Sequence, residues 1–417
     1  VLPTVIDRPA APSIRRSASP PLDPDRLRGA GRGHHETRAR DDQAWAHPRH
    51  LPVGRNAMHA ATAIPGPVRR RAARPTTEYS QLLSTVQATG LFRRRYLYYT
   101  AKISALAAAL VGVGVAFVII GDSWAQIAVA AGLALVLTQI VFLSHDAAHR
   151  QIFRSHRANE ITALVTGTAI GGVSLAWWNN KHNKHHAAPN QIGKDPDITP
   201  SVVQFYRPTL PPRSRVAGFL QGHQGWWFYP LLLVEALNLH AQSLVALVTR
   251  PTLKRRRTEL TLLIIRLGGY PLVLFLLLPP AMAVTFLAVQ LGLMGLYLGA
   301  SFAASHIGMP VLPADSRLDF LRRQVLMSRN VAGGRIASFA MGGLNYQIEH
   351  HLFPNMPRPS LRLVRPIVRQ FCHDAAITYH EVTILKAWAL VAGHLNTVGL
   401  VGRDPYRCPM VGSLRPL

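Results

Sequence analysis

Long apolar runs alternate with short polar or basic breaks along this chain, and the runs have the length of a bilayer crossing. They cover about Lys102 to Ile120, Ser123 to Leu143, Leu260 to Leu278 and Met282 to Ala304. Each approaches the ~20 residues that an α-helix needs to cross a hydrocarbon core of roughly 30 Å. Only Gly121 and Asp122 separate the first two runs, and Pro279-Pro280 separates the last two. Turns that short force antiparallel helix pairs. Arg93-Arg94-Arg95 precedes the first pair and Lys254 to Arg257 the second, whereas the first turn carries no Lys or Arg. Basic flanks stay in the cytoplasm, so both pairs begin and end on that side. The pattern predicts an all-α integral-membrane fold, with four transmembrane helices in two hairpins. Arg266 lies near the start of its span, where it can snorkel to the headgroups or pair inside the bundle.

Three shorter stretches refine this picture. Tyr79 to Leu91 reads as an amphipathic helix leading into the first span. About Ile161 to Trp178 is rich in Gly and Thr and ends on two tryptophans, and Phe228 to Val248 contains Glu235, Asn238, His240 and Gln242. Both are assigned to the membrane interface. Residues 1–74 are rich in Arg, Pro, Ala and His without a helical or strand period, and are expected to be disordered or non-native. The first methionine is Met58, which makes that residue a candidate translation start. The membrane domain is expected over 75–390, followed by a tail over 391–417.

Charge and cysteine content narrow the function. The formal net charge is +26, which by itself favours nucleic acid, but much of it is arginine in the first hundred residues or basic clusters at span ends. Those clusters fit anionic lipid headgroups, and no nucleic-acid partner is expected. The two cysteines, Cys372 and Cys408, are too few for an iron–sulfur cluster or a disulfide framework. No dinucleotide-binding glycine loop follows a strand, so redox chemistry here needs an external electron donor.

The chemistry-bearing residues are histidines in three tight groups. They read His145-Asp-Ala-Ala-His149, His182-Asn-Lys-His185-His186 and Gln347-Ile-Glu-His350-His351. Spacings of i, i+3 and i+4 place each group on one helix face, so each aims two or three imidazoles at one point. Imidazole suits iron, zinc, copper and nickel. A single pair at this spacing is often only a solvated surface; three groups just beyond span ends indicate an oxygen-using metal centre at a membrane surface. In the predicted topology all three face the cytoplasm, which a shared site requires.

These boxes resemble those of the membrane fatty acid desaturases, the integral-membrane diiron family with three histidine boxes. The resemblance runs from about Tyr79 to Ala387 and includes Trp177-Trp178-Asn179-Asn180-Lys181-His182, Asp195-Pro196-Asp197 and Asn345-Tyr346-Gln347-Ile348-Glu349-His350-His351-Leu352-Phe353-Pro354. The glutamine that opens the third box resembles the front-end and bacterial acyl-lipid branches. The resemblance implies that the two hairpins are capped by a cytoplasmic helical domain holding a dinuclear metal site, with two iron ions and O2 as co-substrate. It also implies a kinked hydrophobic tunnel for the acyl chain, and a cis double bond as product. Carried over, His145, His149, His182, His185, His186, His350 and His351 are iron ligands, and His306 matches a further histidine placed before the third box. Ser305 stands where an asparagine is expected in close relatives.

Gln347 is a weak ligand or a neighbour of one, since an amide oxygen is a poorer donor than imidazole. Asp146, Asp197 and Glu349 are candidates to accept the outer N–H of ligand imidazoles. His240 reads as structural, and His156, His223, His373 and His380 lack partners at metal spacing. The expected partners are a fatty acyl lipid or acyl-CoA, membrane lipids, and a ferredoxin or small cytochrome with its reductase. The expected location is multi-pass in a bacterial plasma membrane. Depth of the tunnel, and with it bond position, is expected to depend on side chains around Gly292 to Phe302. Hydroxylation or ketolation of alkyl, sphingoid or carotenoid chains uses the same ligand set and is the alternative. A metal transporter is disfavoured, because its ligands belong in mid-span.

Overall fold

A computed structural model describes residues 77–207 and 214–399. The extension at 1–74 and residues 400–417 of the expected tail lie outside the described residues. The first helix, α1 (Glu78–Ala88), starts at Thr77, whose hydroxyl accepts the Ser80 N–H. Its apolar face buries Leu82 and Val86. Helix α2 (Tyr96–Ile120) begins six residues before the apolar run, because Tyr96 to Tyr99 continue it with amphipathic rings suited to a membrane interface. Gly121, at φ 56°, ends it. The Gln126 amide then donates to the carbonyls of Phe117 and Gly121, at 2.8 and 2.9 Å, and closes the turn.

Helix α3 (Gln126–Ala148) is the most buried of the long helices and runs beyond its expected end at Leu143. That extra turn carries His145 out of the apolar run on a continuous helix. Helix α4 (His156–Ala163) continues through a π-helical segment at Leu164–Ile170, and after a bend of 111° α5 (Leu175–Ala187) carries the second histidine group. Helices α6 (Arg215–Gly222), α7 (Gln224–Leu232) and α8 (Glu235–Thr249) follow, with a 73° bend between α7 and α8. The two sharp breaks fall in the two stretches assigned to the interface.

The third long segment is α9 (Arg256–Ile264), a π-helical turn at Ile265–Gly269, and α10 (Tyr270–Leu277). The fourth is α11 (Pro280–His306), which packs along α3 and ends on a histidine. Four segments are therefore long and apolar enough to cross a membrane, at Tyr96–Ile120, Gln126–Ala148, Arg256–Leu277 and Pro280–His306. Close approach of α11 to the α7–α8 corner relies on glycine, since a Cβ on Gly295 would meet the Leu232 carbonyl at 2.5 Å.

Beyond α11 lie α12 (Phe320–Leu326), α13 (Gly334–Ala340), α14 (Gln347–Leu352), α15 (Arg358–Asp374) and α16 (Ile384–Gly399). The all-α expectation needs one correction. Strands β1 (Asn330–Ala332) and β2 (Glu381–Thr383) pair in parallel, with Val331 opposite Val382. Three-residue strands leave no readable period, but Val331 is buried there. The last helix also carries packing past 390, with Val391 and Leu395 fully buried.

Two of the apolar cores among the described residues bear on the site. One joins α3 and α11 through Leu133, Leu137, Phe142, Phe286 and Leu298. The other joins α1 to α14 and α15 through Leu82, Val86, Ile348, Phe353 and Val364. The histidine groups lie where the ends of α3, α5, α11 and α14 meet.

Candidate metal centre

Each histidine group is fixed by its own helix end. His145 occupies the last turn of α3, and His149 is that helix's C-terminal cap. Helix α5 is started by Ser174, whose hydroxyl accepts the Trp177 N–H at 3.2 Å; buried Leu175 and Trp177 then set the face that presents His182, His185 and His186. Helix α14 is short and wholly buried, and delivers Gln347, His350 and His351. The end of α11 is held by Arg329, 2% exposed, whose guanidinium donates to the carbonyls of Ala304 (2.9 and 2.6 Å) and Ile307 (2.9 Å). A cation on the orphaned carbonyls of a helix C-terminus stabilises that end, and here it fixes His306.

Together these ends form two clusters. One imidazole nitrogen from each of His145, His149, His182 and His350 falls within a 4.8 Å group. Those of His185, His306 and His351 form a second group within the same limit. In the first, His182 Nε2 lies 3.2 Å from His145 Nε2 and 2.9 Å from His149 Nε2. In the second, His185 Nε2 lies 3.3 Å from His306 Nε2. His186 stands between them, with Nε2 3.1 Å from His182 Nε2 and its ring stacked on His351 at 4.2 Å. Gln347 joins the second cluster, its Nε2 2.8 Å from His306 Nε2.

The outer nitrogens decide what the inner ones can do. His185 Nδ1 is 2.9 Å from Asp195 Oδ2, His306 Nδ1 is 3.0 Å from the Met327 carbonyl, and His351 Nδ1 is 2.9 Å from Gln324 Oε1. Each outer partner is an acceptor, so a neutral imidazole at each position keeps its single proton outside and turns a lone pair inward, while at His185 the carboxylates of Asp197 and Asp195 outweigh burial and hold the imidazole above its ordinary pKa. Converging lone pairs repel one another unless a cation sits among them. Nε2 of His350 and of His351 are buried without a hydrogen-bond partner, as is Gln347 Oε1. Burial pushes the imidazoles of His149, His350 and His351 well below their ordinary pKa, and neighbouring imidazoles push further the same way. They are neutral at neutral pH, the state a metal ligand needs. The all-imidazole donor set of each cluster, with outward N–H bonds in the second, fits a divalent transition metal.

The acidic residues divide differently from expectation. Asp197 Oδ2 is 3.4 Å from His185 Nδ1 and pairs with Lys181. The closer partner is Asp195, which also accepts the backbone N–H groups of Asn190 (2.7 Å) and Asp197 (2.9 Å). Asp146 pairs with buried Arg358 instead of an imidazole, at 2.7 Å, and its nearest histidine nitrogen, His145 Nδ1, is 4.0 Å away. Glu349 is also directed elsewhere: its oxygens accept from Asn330 and the Tyr379 hydroxyl, both at 2.7 Å. Adjacent residues on a helix point about 100° apart, which sends Glu349 away from the face of His350. His240 belongs to neither cluster and bonds the Gly172 carbonyl at 2.9 Å. Asp195 was visible in the Asp-Pro-Asp sequence; Gln324, Arg329 and Arg358 stand in no motif and are recognised only by what they touch.

Comparison with known proteins agrees with the geometry. The family model for fatty acid desaturase matches residues 122–383. The chain belongs to that family. It is 28% identical over 346 residues to a delta(8)-fatty-acid desaturase of Helianthus annuus, covering 78% of this chain and 74% of the relative. It is 32% identical over 321 residues to an acyl-lipid (9-3)-desaturase of Physcomitrium patens, covering 74% and 60%. With a delta 8-(E)-sphingolipid desaturase of Kluyveromyces lactis the identity is 26% over 352 residues, covering 80% and 61%. The chain thus spans about three-quarters of the first relative and three-fifths of the other two. These three relatives come from a plant, a moss and a yeast, and give no support to the expected bacterial membrane.

Proposed function

We infer that the protein is a membrane oxidoreductase that desaturates a lipid-borne acyl chain, using O2 and two electrons from an external donor at a histidine-ligated pair of irons. The carrying observation is the convergence of eight histidines from four helix ends, seven of them in two adjacent clusters and His186 between the two. His145, His149, His182 and His350 would hold one iron, and His185, His306 and His351 the other. His186, between the two, would complete one of them, and Gln347 would act as a hydrogen-bond donor or weak ligand. When bound, the irons supply the oxidant that an unactivated methylene requires and that no side chain offers. The balance is two hydrogens from neighbouring carbons, two electrons and two protons, with O2 leaving as two waters.

This chain's own residues position, exclude water and fix proton locations. Asp195, Gln324 and the Met327 carbonyl hold the Nδ1 protons of the second cluster outward. Trp178 stacks on His182 at 4.9 Å and leans on Phe302 at 6.0 Å, which itself meets Phe142. These rings form an apolar floor under the first cluster, suited to keep water out and to limit which carbon pair comes within reach. The expected dependence of bond position on Gly292 to Phe302 rests on this floor.

A polar cleft of about 390 Å³ opens beside His149 and is lined by Arg150, His156, Asn179, Asn183 and Lys254, together with Glu160, whose carboxylate pairs with Lys254 and Arg255 and leaves the cationic groups in excess. Its basic rim favours an acidic electron carrier, a ferredoxin or small cytochrome, on the side of the membrane that the positive-inside rule makes cytoplasmic. Relatives named for fatty-acid, acyl-lipid and sphingolipid desaturation favour desaturation over the hydroxylase or ketolase alternative. Gas-chromatographic lipid analysis of a host producing the full chain, beside His185→Ala and His350→Ala, tests the reading. New unsaturated chains absent from both controls are expected; hydroxylated or ketone products in their place would refute desaturation.

A further inference from the structure

One segment near the site has no partner that accounts for its surface. Helix α13 follows β1, precedes the third histidine box, and buries none of its residues. Ile336 is 83% exposed and Phe339 67%. At i and i+3 they share one helix face, with exposed Arg335 beside them. Glycine pairs bound the helix on both sides, at φ 144° and 60° for Gly333 and Gly334 and at 61° and 83° for Gly342 and Gly343. Those backbone values are open to glycine and strained for other residues. Space is short as well, because a Cβ on Gly342 would meet Phe142 Cγ at 2.3 Å.

The inner side of α13 is tied to the long helices. Gln139 Nε2 of α3 donates to the Phe339 carbonyl at 3.0 Å, and the Tyr297 hydroxyl of α11 donates to the Ala340 carbonyl at 2.6 Å. Lys102 of α2 lies 5.6 Å from the centre of the Phe339 ring. Gln139 precedes His145 by six residues and Tyr297 precedes His306 by nine. At ~1.5 Å per residue the anchors lie about 9 and 14 Å on the membrane side of those histidines. The backbone of α13 is therefore anchored on two of the candidate membrane spans, short of their histidine-bearing ends, while Ile336 and Phe339 stay exposed.

We propose that α13 is a glycine-hinged flap that seats Ile336 and Phe339 in the bilayer and forms the side doorway through which a membrane lipid's acyl chain reaches the histidine clusters. Arg335, next to Ile336, suits a lipid phosphate. The flap is a short step from the chemistry: Gly342 packs on Phe142, one turn below His145, and Gly343 is four residues before Gln347. This rests on the desaturase reading for what passes through, but not for where the flap lies.

Two measurements test it in the full chain, carrying Cys372→Ser and Cys408→Ser, in phosphatidylcholine vesicles. A nitroxide on Ile336→Cys is compared with one on His373→Cys by power saturation with oxygen and with a water-soluble nickel chelate. Oxygen should dominate several-fold at 336 and the chelate at 373. Second, Ile336→Asp with Phe339→Asp should lower product formation at least tenfold at unchanged iron content, whereas Ile336→Leu with Phe339→Leu should retain it. An aqueous reading at 336, or wild-type product formation in the aspartate variant, overturns the proposal. The spin-label result needs no turnover, so it separates failure of the flap from failure of the desaturase assignment.

Discussion

Replacing Asp146 by asparagine removes the charge that neutralises Arg358, and the structure sets the size of the effect. The two side chains are 2% exposed and meet at 2.7 Å. Arg358 further donates to the Phe142 carbonyl at 2.7 Å, and its backbone N–H donates to the Tyr99 hydroxyl at 3.2 Å. One ion pair thus binds the start of α15 to α2 and to the last turn of α3, beside His145. Screening by water is slight at this burial, so leaving the guanidinium unpaired costs about 3–5 kcal/mol. For a body of this size, with a shift of ~2 °C per kcal/mol, the apparent Tm falls by roughly 6–10 °C. Thermal unfolding of the iron-loaded protein in detergent measures it. Arg358→Met alone should do similar harm, and Asp146→Asn combined with Arg358→Met should recover part of the loss, since no buried charge remains. An unchanged Tm in either single variant, or a double variant as unstable as the sum of the two, would refute the argument.

Other outcomes follow from the same geometry. Asp195→Asn removes the closer of the two carboxylates at His185 Nδ1, with Asp197 remaining at 3.4 Å, and iron affinity of the second cluster should fall about 10–100-fold with the first retained, read by metal titration of the purified protein. Arg329→Met uncaps α11 and should loosen His306, giving selective iron loss on dialysis against a weak chelator. The metal-free protein should lose stability as pH drops below about 6.5: His149, His350 and His351 stay neutral when folded, whereas the unfolded chain takes up protons on all three. Stability rises with pH where the unfolded state binds more protons, so these three give a slope of up to ~4 kcal/mol per pH unit below that point, and a Tm flat from pH 7 to 5 would contradict it. Phe302→Ala should deepen the apolar floor and shift the double bond along the chain, which mass spectrometry of derivatised products reads directly.

The long helices were legible because a bilayer demands ~20 consecutive apolar residues, a signal carried by many positions at once. Their ends were less legible. Tyr96 to Tyr99 extend α2, and Ser144 to Ala148 extend α3, because polar or aromatic residues that continue a helix into a cap look in sequence like the end of a span. The histidines revealed themselves by i, i+3 and i+4 spacing, and His306 by resemblance alone. The partners that orient them did not. The Asp-Pro-Asp motif was legible, but it was Asp197 and not Asp195 that the sequence singled out, and Gln324 and Arg329 come from segments with no chemical pattern and reach the site only through tertiary packing. Glu349 shows the reverse error: adjacency to His350 in sequence placed it near the metals, while helix geometry turned it to Tyr379.

The most direct measurement is the iron content of the full chain purified from its membrane, by plasma mass spectrometry, beside His350→Ala and His306→Ala. The account predicts two irons per chain in the parent and a preferential loss of one in each variant, from different clusters. A single iron, or zinc alone, in an active parent would contradict it.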